Sequence, residues 1–244
     1  MVGRPLVLGH RGAAAAAFEN TIEAFARARV MGADGVELDV RRTVDGVLIV
    51  HHDPEIAGVG VLGAMTFTAA RAAHPALATF AEALQEVNGL LVNVEVKCLP
   101  WEPDADTDGS VMRGALDAID AHTTAPATSD ATGNTTFVVS SFSLPAVDLA
   151  REYAPNIATG WLTHGQAVAA AAATAAEHGH AWLNPDVASA LAAGPDGIAA
   201  VHAAGLKVSV WTVDEPDDAR ALAAAGVDII ITNVPDVILA ALAN

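Results

Sequence analysis

The chain has one cysteine and one tyrosine, and aromatic residues of all kinds make up only 5% of its 244 positions. A lone thiol, Cys98, excludes an intrachain disulfide, so the fold must stand on its packing alone. That packing is aliphatic: 52% of the residues are hydrophobic, and Ala, Val, Leu and Ile dominate them. A chain of this length buries enough surface to need no staples. Positive charge is equally scarce. Twelve Lys and Arg stand against 29 Asp and Glu, a formal net charge of −17. Such a surface repels polyanions, which argues against nucleic acid or an anionic membrane as a principal partner. An anionic substrate would need a local positive device, either a metal ion or a few placed basic residues. No apolar run of about 18 residues is free of Gly or charge, so no stable membrane insertion is expected. The strand "PLVLG" begins almost at once and leaves no room for a signal peptide, so the default expectation is a cytoplasmic protein.

What is present is a regular alternation. Short β-rich runs fall at 5–9, 35–40, 90–97, 136–142, 157–162, 181–184, 206–213 and 227–233. Ala-rich helical stretches lie between them, at 20–31, 79–88, 110–121, 145–153, 165–178, 195–204, 215–225 and 235–242. Gly32, Gly179, Gly205 and Gly226 mark helix-to-strand joins, where a left-handed cap residue is wanted. Eight such units in one domain predict an α/β fold, a (β/α)₈ TIM barrel with crossover helices around a parallel sheet. The runner-up, an open doubly wound sheet, is weakened because "GHRGAAAAAF" carries no G-x-G-x-x-G turn.

Two stretches interrupt the plain alternation. "VLIVHHD" (47–53) follows the second strand through Asp45-Gly46, a strong hairpin signal. With those two as the loop, residue 44 faces 47 and Asp39 comes opposite His52. Residues 54–78 then form a short insertion, helical near 66–74, and the segments 98–109 and 122–135 read as exposed loops.

Polar residues cluster where barrel strands end, which is where barrel chemistry gathers. His10-Arg11 follows the first strand, Glu37 and Asp39 lie on the second, and Glu95 and Lys97 end the third. Period-two alternation turns Glu37 with Asp39, and Glu95 with Lys97, to one face. Three inward carboxylates repel one another unless a hard divalent cation, Mg²⁺ or Ca²⁺, joins them. Ion pairing with Arg11 and Lys97, without metal, is the competing reading. His10 and His52 reach the same rim, whereas His51 points the other way. Metal, two imidazoles and two cations suit phosphoryl chemistry: an anion clamped, with one histidine as acid and one as base. No Walker or G-x-S-x-G motif and no cysteine nucleophile offers a different chemistry.

The run "GHRGAAAAAFENTIEAFARARVMGADGVELDVRRTVDGVLIVHHDP" resembles the opening of the glycerophosphodiester phosphodiesterases. "VEVK", "SSFS" and "VSVWTVDEPDDARALAAAGVDIIITNVPD" continue the resemblance in order along nearly the whole chain. It implies a TIM barrel that hydrolyses small glycerophosphodiesters to glycerol 3-phosphate and an alcohol with one divalent cation. By position, His10 and His52 become the acid–base pair, and Glu37, Asp39 and Glu95 the metal ligands. Arg11 and Lys97 bind phosphate, Trp211 and Phe142 line the substrate side, and Glu19 and Asn20 brace the site. Residues 54–78 correspond to the family's cap. Phe18 stands where the family usually has Pro, Asn233 where Asp is common, and the cap is Ala/Gly-rich with no obvious aromatic cluster. A lysophospholipase D-like enzyme acting on larger lipids, or a barrel that binds phosphodiesters without turnover, are the alternatives.

Overall fold

Runs of Val, Ile and Leu form strands buried on both faces, as a parallel sheet sheathed in helices requires. In the computed structural model, which describes residues 4–124 and 136–243, eight of these strands build one barrel. They are Leu6–Gly9, Gly35–Arg42, Leu91–Val96, Thr136–Ser141, Ala158–Thr163, Trp182–Pro185, Lys207–Val210 and Ile229–Thr232. Each pairs in parallel with the next. The eighth pairs with the first, Leu6 opposite Ile229 and Gly9 opposite Thr232, which closes the barrel and excludes the open sheet.

Helices pack around this wall, and polar caps set where several of them start. Thr21 accepts from Ala24 N–H at the head of Ile22–Val30, and Thr79 with Glu82 forms a reciprocal capping box before Phe80–Glu86. The four join glycines all take positive φ, as expected. One expected helix is preceded by another. Within Val187–Ala203, Gly194 (φ 60°, ψ −171°) is not helical and separates two helices; the second begins at Pro195, as the sequence predicts, and the first starts at Asp186, whose carboxylate accepts from Ser189 N–H.

The hairpin forms, but not in the expected register. Val40 pairs with Val50 and Arg42 with Leu48, so His51, not His52, lies across from Asp39 and donates its N–H to the Asp39 carbonyl at 3.1 Å. The loop has three residues, Val44-Asp45-Gly46, because a turn from Thr43 to Gly46 is followed by Gly46 in the left-handed region (φ 84°). Asp45 Oδ1 stabilises it, accepting from Thr43 Oγ1 at 2.7 Å and Phe67 N–H at 3.0 Å.

Beyond the hairpin, two-residue strands Glu55–Ile56 and Gly60–Val61 pair with each other, and a helix runs over Phe67–Ala73. Leu62, Ala70 and Leu77 bury themselves against Ile49, which fixes this insertion to the hairpin. The stretch 98–109 has no regular element. Trp101 is exposed there as expected, but Asp104 is not: an inward Arg41 draws its carboxylate down to 4% exposure. Residues 122–124 belong to the helix Ser110–Thr124, and the rest of the predicted 122–135 loop lies outside the described residues. Among the described residues no helix is long and apolar enough to cross a membrane.

Candidate active site

The site begins with a left-handed turn after the first strand. Arg11 (φ 54°) and Gly12 (φ 82°) both take positive φ, and a Cβ on Gly12 would meet the Ala24 backbone at 2.5 Å. This conformation aims the Arg11 N–H at Glu37 Oε2, 2.9 Å away. The Arg11 guanidinium holds both Glu19 oxygens at 2.8 and 2.9 Å and places Nε 3.3 Å from Asp39 Oδ2. Asn20, also at positive φ, clamps Asp39 twice: Nδ2 donates to Oδ2 at 2.7 Å and Oδ1 accepts the backbone N–H at 3.2 Å. Non-glycine residues in this region are strained, and they gather here because the contacts they make compensate.

Sheet register supplies the carboxylates. Asp39 pairs directly with Glu95, and Glu37 sits two residues earlier on the same face. An oxygen from each of Glu37, Asp39 and Glu95 lies within 4.8 Å of the others. Lys97 Nζ reaches between two of them, 2.9 Å from Asp39 Oδ1 and 2.5 Å from Glu95 Oε1. All four side chains are buried.

The charges do not balance. Three buried carboxylates face two cations, and Arg11 is shared with a fourth carboxylate, Glu19. Glu37 carries the surplus. Burial first, then Asp39 and Glu95, push its carboxyl well above the usual range. Asp39 is held below that range although burial pushes it up, because Lys97, Arg11 and His52 favour its anion. Lys97 is raised in turn: Asp39 and Glu95 outweigh its own burial. An oxygen-only donor set with uncompensated negative charge fits a hard divalent cation. The ion pairs of the competing reading are also present, but they leave Glu37 without a countercharge of its own.

The two histidines are held differently. His10 Nδ1 lies 2.8 Å from Asn233 Oδ1, and Nε2 lies 3.9 Å from Glu37 Oε2. Burial, then Arg11, lowers the His10 pKa below the usual imidazole value. His52 lies just past the end of the hairpin strand. Its carbonyl accepts from Arg41 Nε at 2.7 Å, and its Nδ1 lies 2.7 Å from Asp53 Oδ1. His52 reaches the carboxylates through this bend, not through strand pairing, and it favours the anions of both Asp39 and Glu95. His51 turns outward, with its ring 6.0 Å from that of His74.

Trp211 and Phe142 pair edge to face with centroids 5.3 Å apart, and Trp211 Nε1 donates to the Asn184 carbonyl at 2.9 Å. The expected site residues thus fall into a connected polar group and an aromatic pair.

Sequence reading missed two groups. Arg41 is fully buried and forks onto Glu102 and Asp104 while holding His52; its place two residues after Asp39, on the same face, was the available signal. Asp214 accepts from Asn233 Nδ2 at 2.7 Å and Asn233 N–H at 2.8 Å, which locks the partner of His10. Phe18, which stands where the family usually has Pro, is 62% exposed and lies with its ring 5.0 Å from that of His74, which joins the first loop to the insertion.

The model of the glycerophosphoryl diester phosphodiesterase family matches residues 10–237. A glycerophosphodiester phosphodiesterase of Caldanaerobacter subterraneus subsp. tengcongensis is 27% identical, over 97% of each chain. Among solved structures, the Thermotoga maritima glycerophosphodiester phosphodiesterase superposes with a TM-score of 0.75 at 25% identity, covering 98% of each chain. An Oleispira antarctica phosphodiesterase, solved with the product sn-glycerol-3-phosphate, superposes with a TM-score of 0.83 at 21% identity, covering 99% of this chain and 98% of that one.

Proposed function

The chain belongs to the glycerophosphoryl diester phosphodiesterase family, and from that membership we propose its reaction: hydrolysis of a small glycerophosphodiester, such as glycerophosphocholine or glycerophosphoethanolamine, to glycerol 3-phosphate and an alcohol. It is an enzyme of the phosphoric diester hydrolase class. The product-bound Oleispira antarctica neighbour supports the substrate class. The observation that carries the mechanism is the convergence of two imidazoles, each with Nδ1 against a side-chain oxygen, on three buried carboxylates.

Glu37, Asp39 and Glu95 would hold one divalent cation, Mg²⁺ or Ca²⁺. When bound, that ion would supply Lewis acidity and charge neutralisation at a phosphate oxygen. Arg11 and Lys97 neutralise the charge that grows on the phosphoryl group, the electrostatic contribution that usually dominates such catalysis. Glu19 and Asn20 keep Arg11 and Asp39 in place for this. His10 is the base: its Nδ1 donates to Asn233, so Nε2 carries the lone pair and takes a proton of the attacking water. His52 is the acid, because its Nδ1 lies against the Asp53 carboxylate, which offsets a positive ring, whereas the Nδ1 partner of His10 is a neutral amide. As the new O–P bond forms, the P–O bond to the alcohol breaks and His52 gives its proton to the leaving oxygen. Trp211 and Phe142 form the apolar wall, and residues 54–78 cap the mouth of this single domain.

The test is glycerol 3-phosphate release from glycerophosphocholine, first in EDTA and then with Mg²⁺ or Ca²⁺ restored. Release only with metal is the expected result. No release from folded protein with any divalent ion would reject the substrate, and lysophospholipids would then be the next class to assay.

A further inference from the structure

A second cluster of ligating side chains lies at the other end of the barrel wall, before the strands begin. His178 closes the helix Val168–Glu177, and His180 stands two residues ahead of the strand Trp182–Pro185. Asp148, on the helix Leu144–Tyr153, faces both. We propose that Asp148, His178 and His180 form a second metal site, selective for a borderline transition ion such as Zn²⁺ and distinct from the carboxylate cluster at the mouth.

The distances suit a common ion. His178 Nδ1 lies 2.9 and 3.0 Å from the two Asp148 oxygens, and His180 Nε2 lies 3.2 Å from Asp148 Oδ1. One ligand atom from each residue falls within 4.8 Å of the others. Tetrahedral zinc with bonds of about 2.0–2.1 Å has ligand–ligand edges of roughly 3.3 Å, so a shift of a few tenths of an ångström suffices.

An ordinary aspartate–histidine pair accounts for His178. His180, whose side chain is 0% exposed, shares the same carboxylate: its Nε2 lies at ion-pair distance from Asp148 Oδ1 but makes no aligned hydrogen bond. A buried ring nitrogen without an aligned partner is costly, and a metal–nitrogen bond would remove the cost. The other nitrogen is already placed: Nδ1 lies 3.0 Å from Thr159 Oγ1, the outer contact that fixes the ring of a metal-bound histidine. Arg151 Nε donates to the Gly179 carbonyl at 3.0 Å and holds the segment between the two histidines.

Donor chemistry separates the two sites. Two imidazoles and one carboxylate select zinc-like ions, whereas three carboxylates select Mg²⁺ or Ca²⁺. The Asp148 and His178 side chains are 32% and 36% exposed, so an ion can enter and solvent can complete its coordination. Bound there, it would tie the helix carrying Asp148 to the entry of the sixth strand.

The experiment uses full-length, metal-stripped protein carrying Glu37→Gln, which weakens the mouth site. Zn²⁺ is titrated by calorimetry and its effect on Tm is recorded, with Co²⁺ absorption as a probe of nitrogen ligation. One equivalent of Zn²⁺ and an upward Tm shift are expected, both lost in His178→Ala and in Asp148→Asn. Thr159→Val, which removes only the positioning hydroxyl, should weaken binding by about 10–100-fold. Equal Zn²⁺ stoichiometry and equal Tm shifts with and without His178 would overturn the site, as would no binding at all. Asp148→Asn is nearly isosteric, so it decides the matter should His178→Ala fold poorly.

Discussion

His10 Nδ1 and Asn233 Oδ1 lie 2.8 Å apart, and an amide oxygen can only accept. Asp214 takes the Asn233 Nδ2 hydrogen at 2.7 Å, so the amide cannot turn over without losing that bond. The proton of neutral His10 is therefore held on Nδ1 and its lone pair on Nε2, the side nearer Glu37. Asn233→Ala or Asp214→Ala should lower kcat by about 10–100-fold with little change in KM, a part of the full value of a positioned base. Steady-state kinetics on a glycerophosphodiester check this; a pure KM effect would mean that Asn233 contacts substrate and does not orient His10.

Arg41 joins the hairpin to the loop after the third strand. It holds the His52 carbonyl through Nε, and Glu102 and Asp104 through its two amino groups. Arg41→Met leaves two carboxylates without their partner, a loss of about 3–5 kcal/mol for a buried pair. Arg41→Lys keeps the charge and loses the fork, so it should retain part of the stability and still misplace His52. Urea denaturation read beside kcat would show both. Wild-type kcat in Arg41→Lys would show that His52 does not depend on this anchor.

The crowded carboxylates make a statement about stability. In EDTA, burial and the repulsion of Asp39 and Glu95 disfavour the Glu37 anion, and a divalent cation should relieve this strain. Mg²⁺ or Ca²⁺ at about a hundredfold excess over its Kd would stabilise the fold by roughly 2.7 kcal/mol. Glu37→Gln should abolish most of that gain while leaving the metal-free Tm unchanged or higher. A scan with and without metal for both proteins is sufficient. Equal metal-induced shifts would remove Glu37 from the ligand set.

Cys98 offers a control reagent site. Its Sγ lies 3.3 Å from Ser141 Oγ, and burial pushes its thiol up to about 11 from an ordinary 9.0. At pH 8 this leaves about a hundredfold less thiolate than in the unfolded chain, and only the thiolate reacts. Alkylation of native protein should be slower by at least that factor and quicken as pH rises toward 11. Rapid labelling at pH 8 would show that the segment just after the third strand opens readily.

What was legible in the sequence follows from local rules. The eight strand-and-helix units could be read because their signals are local: apolar runs, Ala-rich helices, and glycine at the joins. Strand alternation placed Glu37 with Asp39 on one face, since that period is a property of any extended backbone. Asp-Gly usually forms a two-residue loop, which predicts a register one residue away from the one found. Here the bond from Gly46 N–H to the Thr43 carbonyl and the contact of Asp45 with Phe67, far along the insertion, select three. A one-residue slip puts His51 opposite Asp39 in the ladder, and His52 comes to the carboxylates through the bend after the strand instead.

The amino-acid sequence by itself determined the barrel, the three carboxylates, the two cations and the two histidines, because each sits on a periodic element or in a local motif. Only tertiary structure decided how those groups are held. The Asp214–Asn233–His10 chain joins the loops after the seventh and eighth strands to that after the first. Arg41 meets its partners across 61 and 63 residues, and Asp148 meets the two histidines across about 30. Contacts of that kind depend on barrel closure and on how neighbouring loops fold over one rim, and no local periodicity encodes either.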